Sequence, residues 1–219
     1  DGSVWVIDFY SFIIQHNPTP RGFENGEGNA YETPLRDKTH GRIYRIAYKD
    51  AQPVDPMNLA GAGSAKLVET LQNNNLLWRL HAQRLLVERG QKDVVPALAK
   101  LVQDRSVDQI GLNVGAIHAL WTLHGLDAVE SDAGVQAALG GLKHPSAGVR
   151  RNAVGVLPRT TEALNAPLES GILRDEDAQV RLAAFLAVSE MPASEQAGQA
   201  VYEALQDARN TEDRWLPDA

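Results

Sequence analysis

One segment of the chain concentrates side chains able to do chemistry. Between positions 14 and 40 lie His16, Asn17, Asn29, Tyr31, Glu32, Arg36, Asp37 and His40. Two imidazoles and two carboxylates are the donor types that hold zinc or manganese. The same groups could line the mouth of a sugar or cofactor site. Their spacing is irregular, however, and polar side chains in a long loop ordinarily satisfy turn backbone. Arg36 or Arg42 paired with Glu32 or Asp37 would complete that plainer arrangement. The sequence therefore assigns no metal here and no catalytic residue. It marks an ordered loop with a role. Phe23 and Tyr31 add aromatic faces that could capture carbohydrate. The run Asn25-Gly-Glu-Gly-Asn29 lacks the Lys of a phosphate loop and the third Gly of a dinucleotide fingerprint, so it reads as a tight turn.

Two further sets recur in the second part of the chain. His81, His118 and His124 fall on successive apolar runs, but His118 and His124 are six apart and face different sides of one helix; a shared metal needs a spacing of four. Structural or solvated roles are expected. Arg79, Arg84, Arg150, Arg151 and Arg181 recur at similar places. They could form a basic ladder for an acidic partner. The plainer expectation is pairing between repeats with Asp104, Asp175 or Asp177. Trp78 and Trp121 stand at helix-packing positions, where core burial is expected.

The elements that must position these residues follow from composition and period. The chain has 219 residues, 21 Lys+Arg and 28 Asp+Glu, and a net charge of −7. It holds no Cys, which excludes disulfides, thiolate metal sites, iron–sulfur clusters and Cys nucleophiles. Acidity without a dense basic run argues against nucleic acid. No apolar stretch approaches the ~18–20 residues that span a bilayer, so no membrane insertion is expected. Eight of the 13 aromatic residues lie in the first 50 positions, which favours strands there, whereas Ala and Leu dominate afterwards and favour helices. Ser3–Ile13 and Gly41–Tyr48 read as strands around the long loop. Residues 53–64 carry two Pro and two Gly and read as a linker. The expected organisation is a β segment over 1–50, a linker over 51–64 and helical repeats over 65–219.

The repeat shows as an anchor residue followed four positions later by Ala. Trp78/Ala82, Val149/Ala153 and Val180/Ala184 fit, and Trp215/Ala219 fits at the end; Gly115/Ala119 is a weaker member. The spacings are 37, 34, 31 and 35. A period of that size predicts a mainly α fold, a HEAT-like solenoid of helix pairs. The expected helices are 65–72, 75–89, 93–103, 114–124, 132–142, 146–157, 161–173, 177–190 and 194–208. Polar turns at Asn73–Asn75, His144–Ser146, Asp175–Asp177 and Asn210–Thr211 should cap the inner helices. Gly90 and Gly125 should cap helix C-termini. The last nine residues read as the first turn of another inner helix, and both ends read as cut from something longer.

Several runs are distinctive. They are Gly2-Ser-Val-Trp-Val-Ile-Asp8, Gln15-His-Asn-Pro-Thr-Pro20, Gly28-Asn-Ala-Tyr-Glu-Thr-Pro-Leu-Arg-Asp37 and His40-Gly-Arg-Ile-Tyr-Arg-Ile46. With Asn75–Gly90 and Gly115–Gly125, they resemble a junction in large secreted bacterial proteins of the planctomycete and verrucomicrobial type. There a propeller similar to soluble glucose/sorbosone dehydrogenases is followed by HEAT-like repeats. Many members end in a c-type haem domain and carry the name membrane-bound dehydrogenase or haem-binding protein. The resemblance is strongest over 1–50 and 74–126, and generic afterwards. It implies that residues 1–48 end the last blade, that Gly41–Ile46 is a closing strand, and that the protein is extracytoplasmic, periplasmic or secreted. It implies no cofactor in this chain, because C-x-x-C-H is absent; haem c or a quinone would belong to other domains of a parent. The expected function is a non-catalytic scaffold that binds a protein partner or the adjacent propeller domain. The alternative is that loop 14–40 contributes to the active site of a sugar or alcohol dehydrogenase in the intact parent.

Overall fold

The computed structural model describes residues 3–9, 21–22, 24, 39–51 and 57–218. The chain divides into two compact units, Asp1–Pro56 and Met57–Ala219.

In the first unit, β1 (Val4–Phe9) pairs antiparallel with β2 (Gly41–Ile46), with Val4 opposite Ile46 and Phe9 opposite Gly41. The β-branched and aromatic residues of both runs drive this pairing. Alternation sends Val4 and Val6 to one face and Trp5 and Ile7 to the other. Both faces are apolar and exposed, Ile7 to 83%. The Arg45 guanidinium lies 5.9 Å from the Trp5 ring across the strands.

The second unit is helical: α1 (Ser64–Thr70), α2 (Leu76–Arg89), α3 (Val95–Gln103), α4 (Val114–Gly125), α5 (Asp132–Gly141), α6 (Ala147–Val156), α7 (Thr161–Ser170), α8 (Ala178–Ser189), α9 (Glu195–Ala204) and α10 (Ala208–Thr211). These ten helices of the described residues pack pairwise in a repeat-like manner. The inner row runs α2, α4, α6, α8, each against the next; α3 packs on α5, and α7 on α9. Ala82, Ala119, Ala153 and Ala184 are fully buried in the inner row, where a small side chain lets helices approach closely.

Caps distinguish the rows. Asx side chains start three inner helices: Asn75 accepts from Leu77 N, Asn113 from Ala116 N, and Asp177 from Gln179 N and Val180 N. Hydroxyls start three outer ones, α5, α7 and α9: Ser131, Thr160 and Ser194 each accept from the backbone N–H three residues on. α3 and α6 start without a side-chain cap. The Ser146 hydroxyl is buried without a partner, and its backbone N–H donates to His144 Nδ1 at 3.0 Å.

Several local expectations need correction. Counted three residues from the cap, the anchors are the half-buried Trp78 and the buried Ala116, Val149, Val180 and Leu216, so two of the sequence anchors are displaced by one residue. Cap geometry sets this register: Asp213 accepts from Trp215 N and Leu216 N, which leaves Trp215 59% exposed and buries Leu216 to 3%. In α4 the small and large residues are exchanged, Ala116 preceding Leu120, and both are fully buried. The helix expected over 161–173 ends at Ser170, because Gly171 turns left-handed at φ 78°. The one expected over 194–208 ends at Ala204, and Asp207 caps the short α10. Asn210 is therefore no cap. Gly90 does take the left-handed cap at φ 64°. Gly125 instead closes α4, and Asp127 takes the positive φ of 50°. A Cβ on Gly125 would stand 2.7 Å from Val87 Cγ2. Trp121 is not core: it is 36% exposed and its Nε1 donates to Asn152 Oδ1 at 2.6 Å.

Two glycines of α5 make a test of this packing. A Cβ on Gly134 would lie 1.9 Å from the Ala128 carbonyl oxygen, whereas one on Gly140 meets nothing within 4 Å. Gly134→Ala should therefore cost roughly 2–3 kcal/mol by overpacking, and Gly140→Ala should gain roughly 0.5–1 kcal/mol from reduced backbone freedom. Urea unfolding of both checks the pair; equal effects would contradict this placement of α5. Ala153→Phe and Ala184→Phe should each lower the unfolding free energy from the same urea titration further, by roughly 3 kcal/mol or more.

Candidate functional site

The loop residues His16, Asn17, Asn29, Tyr31, Glu32, Arg36 and Asp37 lie outside the described residues, as do Phe23 and the Asn25–Asn29 turn. His40 is described. It is exposed just before β2, with Nδ1 3.1 Å from Thr39 Oγ1. Among the described residues, no group of three or more His, Asp and Glu is placed to hold a metal ion.

The three recurrent histidines go to three different partners. His81 lies against Trp78 with ring centroids 6.0 Å apart. His124 meets Trp121 edge to face at 5.5 Å. His118 is buried, and its Nδ1 is 2.7 Å from Gln83 Oε1 on the preceding inner helix. Burial, helped by the nearby positive Arg79, pushes the His118 imidazole down to about 4. A fourth, His144, was not singled out from sequence. It is buried with both ring nitrogens used: Nε2 donates to Asp104 O at 2.7 Å, and Nδ1 accepts from Ser146 N. Only the His-Pro-Ser turn before α6 signals it in sequence.

The recurrent arginines separate cleanly. Arg79, Arg150 and Arg181 each stand four residues after an inner-helix cap, and each makes the same pair of bonds. Arg79 Nη1 donates to the carbonyls of Asn73 and Asn74 at 2.5 and 3.0 Å. Arg150 Nη1 donates to those of His144 and Pro145, both at 2.9 Å. Arg181 Nη1 donates to those of Asp175 and Glu176 at 2.8 and 3.1 Å. One guanidinium thus satisfies the two turn carbonyls that precede its helix. Arg84 stands elsewhere, exposed and 3.6 Å from Glu88 one turn on. Arg151 is exposed one position past Arg150.

The rest of the fork reaches the next repeat. Arg150 Nε and Nη2 grip both Asp175 oxygens at 2.7 and 2.8 Å. Arg181 Nε donates to Asn210 Oδ1 at 2.6 Å, and Nη2 to Arg209 O at 3.1 Å. Asn210 is fully buried and donates in turn to Ala204 O. Its sequence position, 29 residues after Arg181, gives no hint of this role. Of the acidic partners expected, only Asp175 pairs across repeats. Asp104 holds Ser106, and Asp177 caps α8. The Asp175 hydrogen bonds hold the Arg150 guanidinium above its usual range. Burial works against the Asp175 carboxylate, but the bonds from Arg150 and the Asp177 N–H win and hold it below the usual carboxylate range.

A groove of about 400 Å³ between α5 and α7 has Val135, Leu139 and Ala166 in its walls and Glu130, Glu162 and Glu169 around it. No helix among the described residues is long and apolar enough to cross a membrane.

Comparison with known proteins adds one finding. Residues 1–50 match a family described as Domain of unknown function (DUF7133). That match spans the strand hairpin and its loop, and stops short of the helices. No curated protein matches the chain.

Two measurements probe the arginine positions. Arg150→Met breaks a largely buried pair and should cost roughly 2–4 kcal/mol, whereas the exposed Arg84→Ala should change stability by less than about 0.5 kcal/mol. Similar losses in denaturant unfolding would contradict the separation. For His118, the folded value lies below the unfolded value of 6.5. Below that value the unfolded chain binds a proton that the folded chain refuses, so stability falls as pH drops from about 6.5 toward about 4. His118→Gln should flatten that part of a Tm-against-pH curve; an unchanged curve would remove His118 from the acid response.

Proposed function

We propose that residues 57–218 are a non-catalytic HEAT-like scaffold for protein interaction, carried by a larger secreted, extracytoplasmic protein. Its partner is a separate polypeptide or an adjacent propeller domain. The observation that carries this reading is the repeated fork of Arg79, Arg150 and Arg181 on the turn carbonyls. The other edges of Arg150 and Arg181 reach the next turn, and bonds between repeats of this kind hold an extended surface in one shape. The exposed apolar residues of α2 and the grooves of the outer row are the kind of relief that a partner reads. The hairpin fits the end of a propeller blade: its two strands alone bury too little to be stable in water. In such a parent, haem c or a quinone would sit in domains outside this chain.

Cross-linking of the natural full-length protein through Lys66, Lys92, Lys100 and Lys143 tests this. Links should join these lysines to residues outside 57–218. Links confined within 57–218 would contradict a scaffold.

One observation favours a second reading for the intact parent. The matched family spans the loop together with the hairpin, so the loop is part of what defines it. There, loop 14–40 would help line the active site of a sugar or alcohol dehydrogenase. His16→Ala and His40→Ala should then lower dye-linked oxidation about ten-fold or more in the full-length protein. Unchanged rates in both would take the loop out of catalysis.

A further inference from the structure

Charge divides unevenly between the helix rows. The inner helices α2, α6 and α8 carry arginines, whereas the outer helices α5, α7 and α9 carry no Lys or Arg. Their charged residues are Asp132, Glu162, Glu169, Glu195 and Glu203. Asp132, Glu162 and Glu195 stand in the first turn of their helices, where the positive end of the helix dipole favours them. Glu203, near the end of α9, is met by Arg174 at 3.4 Å. Glu169 has neither benefit. It lies in the last turn of α7, where the dipole disfavours a carboxylate. No basic residue shares that turn, and among the described residues no ion pair reaches it.

Glu169 also borders two grooves. The one of about 400 Å³ between α5 and α7 is lined by the half-buried Val135, Leu139 and Ala166, with Glu130 and Glu162 around it. The other, of about 610 Å³ between α7 and α9, is flanked by Glu195 and Glu203. No Lys or Arg lines either groove. Arg159, in the turn before α7, is held by Glu190 and Leu157 O. Asn165 borders both grooves, is exposed, and makes no side-chain hydrogen bond among the described residues. Apolar walls under a rim of carboxylates complement a segment that is basic outside and aliphatic inside. Glu162 and Glu169 are seven residues apart, roughly 10 Å along the helix. Three residues of extended chain cover the same roughly 10 Å.

We propose that the groove between α5 and α7 docks an extended basic segment of a partner protein, with two Lys or Arg three positions apart. One cation pairs with Glu169 and the other with Glu162. An aliphatic side chain between them enters the groove against Val135, Leu139 and Ala166. The Asn165 amide, which has both a donor and an acceptor, meets the backbone of the segment. The proposal deepens the scaffold reading and rests on it.

The test uses the whole 219-residue chain, labelled with nitrogen-15, and the peptide acetyl-Arg-Leu-Ala-Arg-amide. The backbone amides of α5 and α7 should shift and saturate in the low millimolar range. The peptide with Gln for both Arg should bind about ten-fold more weakly, and the one with Ser for Leu about five-fold more weakly. Glu169→Gln, an exposed change, should weaken binding about three-fold. Glu88→Gln on α2 should leave it unaltered. Immobile α5 and α7 amides would overturn the proposal. So would equal binding of the Leu and Ser peptides, or equal losses from Glu169→Gln and Glu88→Gln, since a diffuse attraction to an acidic chain would then explain the shifts. The same shifts on raising the chain's concentration without peptide would give the groove to a second copy and overturn it as well. The peptide comparisons leave the protein unaltered, so they decide the matter whatever a variant does to folding. External cross-links with immobile α5 and α7 amides would remove this site and leave the scaffold standing; specific peptide binding with internal links alone would do the reverse.

Discussion

Backbone carbonyls in the turns before the inner helices set the central constraint on the helical unit. Two of them point away from any helical partner in each turn, and burying them unpaired would cost more than a typical contact returns. An arginine four residues past the cap reaches back to both. Because the fork has five donors in a plane, the same side chain still has an edge free for the neighbouring turn. Local satisfaction and long-range register thus come from one residue. Lysine, a point charge without a planar fork, could do one task but not both.

Close helix approach then follows from small residues. Ala82, Ala153 and Ala184 lie one turn past the anchors, and a Cβ on Gly141 would stand 2.8 Å from Ala153 Cβ. Side chains of this size leave little freedom in how one pair sits on the next, which complements the ladder. α4 departs from the pattern at both levels. Ile117 replaces the arginine, and its turn is closed instead by Asn113 and Asp108, with His144 bridging from the following turn to Asp104 O. The Nε of Arg79, on the inner helix before this gap, is buried without a hydrogen-bond partner.

Much of this was legible in the sequence, for physical reasons. Periodic apolar runs placed nine helices within a few residues, because burial of one face dominates helix position. Asn75 and Asp177 announced their helices, since an Asx oxygen has few better uses than a free N–H. The recurrence of Arg79, Arg150 and Arg181 was visible, but their separation from Arg84 and Arg151 was not. That distinction depends on a count from the cap, and Ser146 does not cap. Asn210 and His144 were invisible as ladder members, because their partners are 29 and 40 residues away. Trp121 was misplaced because a large aromatic reads as core, although its N–H sought Asn152. For the loop, only His40 can be placed. Irregular polar sequence carries no period from which geometry follows.

Coupling between helix pairs through the arginine forks is the claim on which the rest depends. Native-state hydrogen exchange on the Arg150→Gln chain tests it most directly. With the grip on Asp175 lost, the amides of α8 and α9 should open together in a step that α4 and α6 do not share. Protection that falls evenly over all four helices, or does not fall at all, would contradict the account.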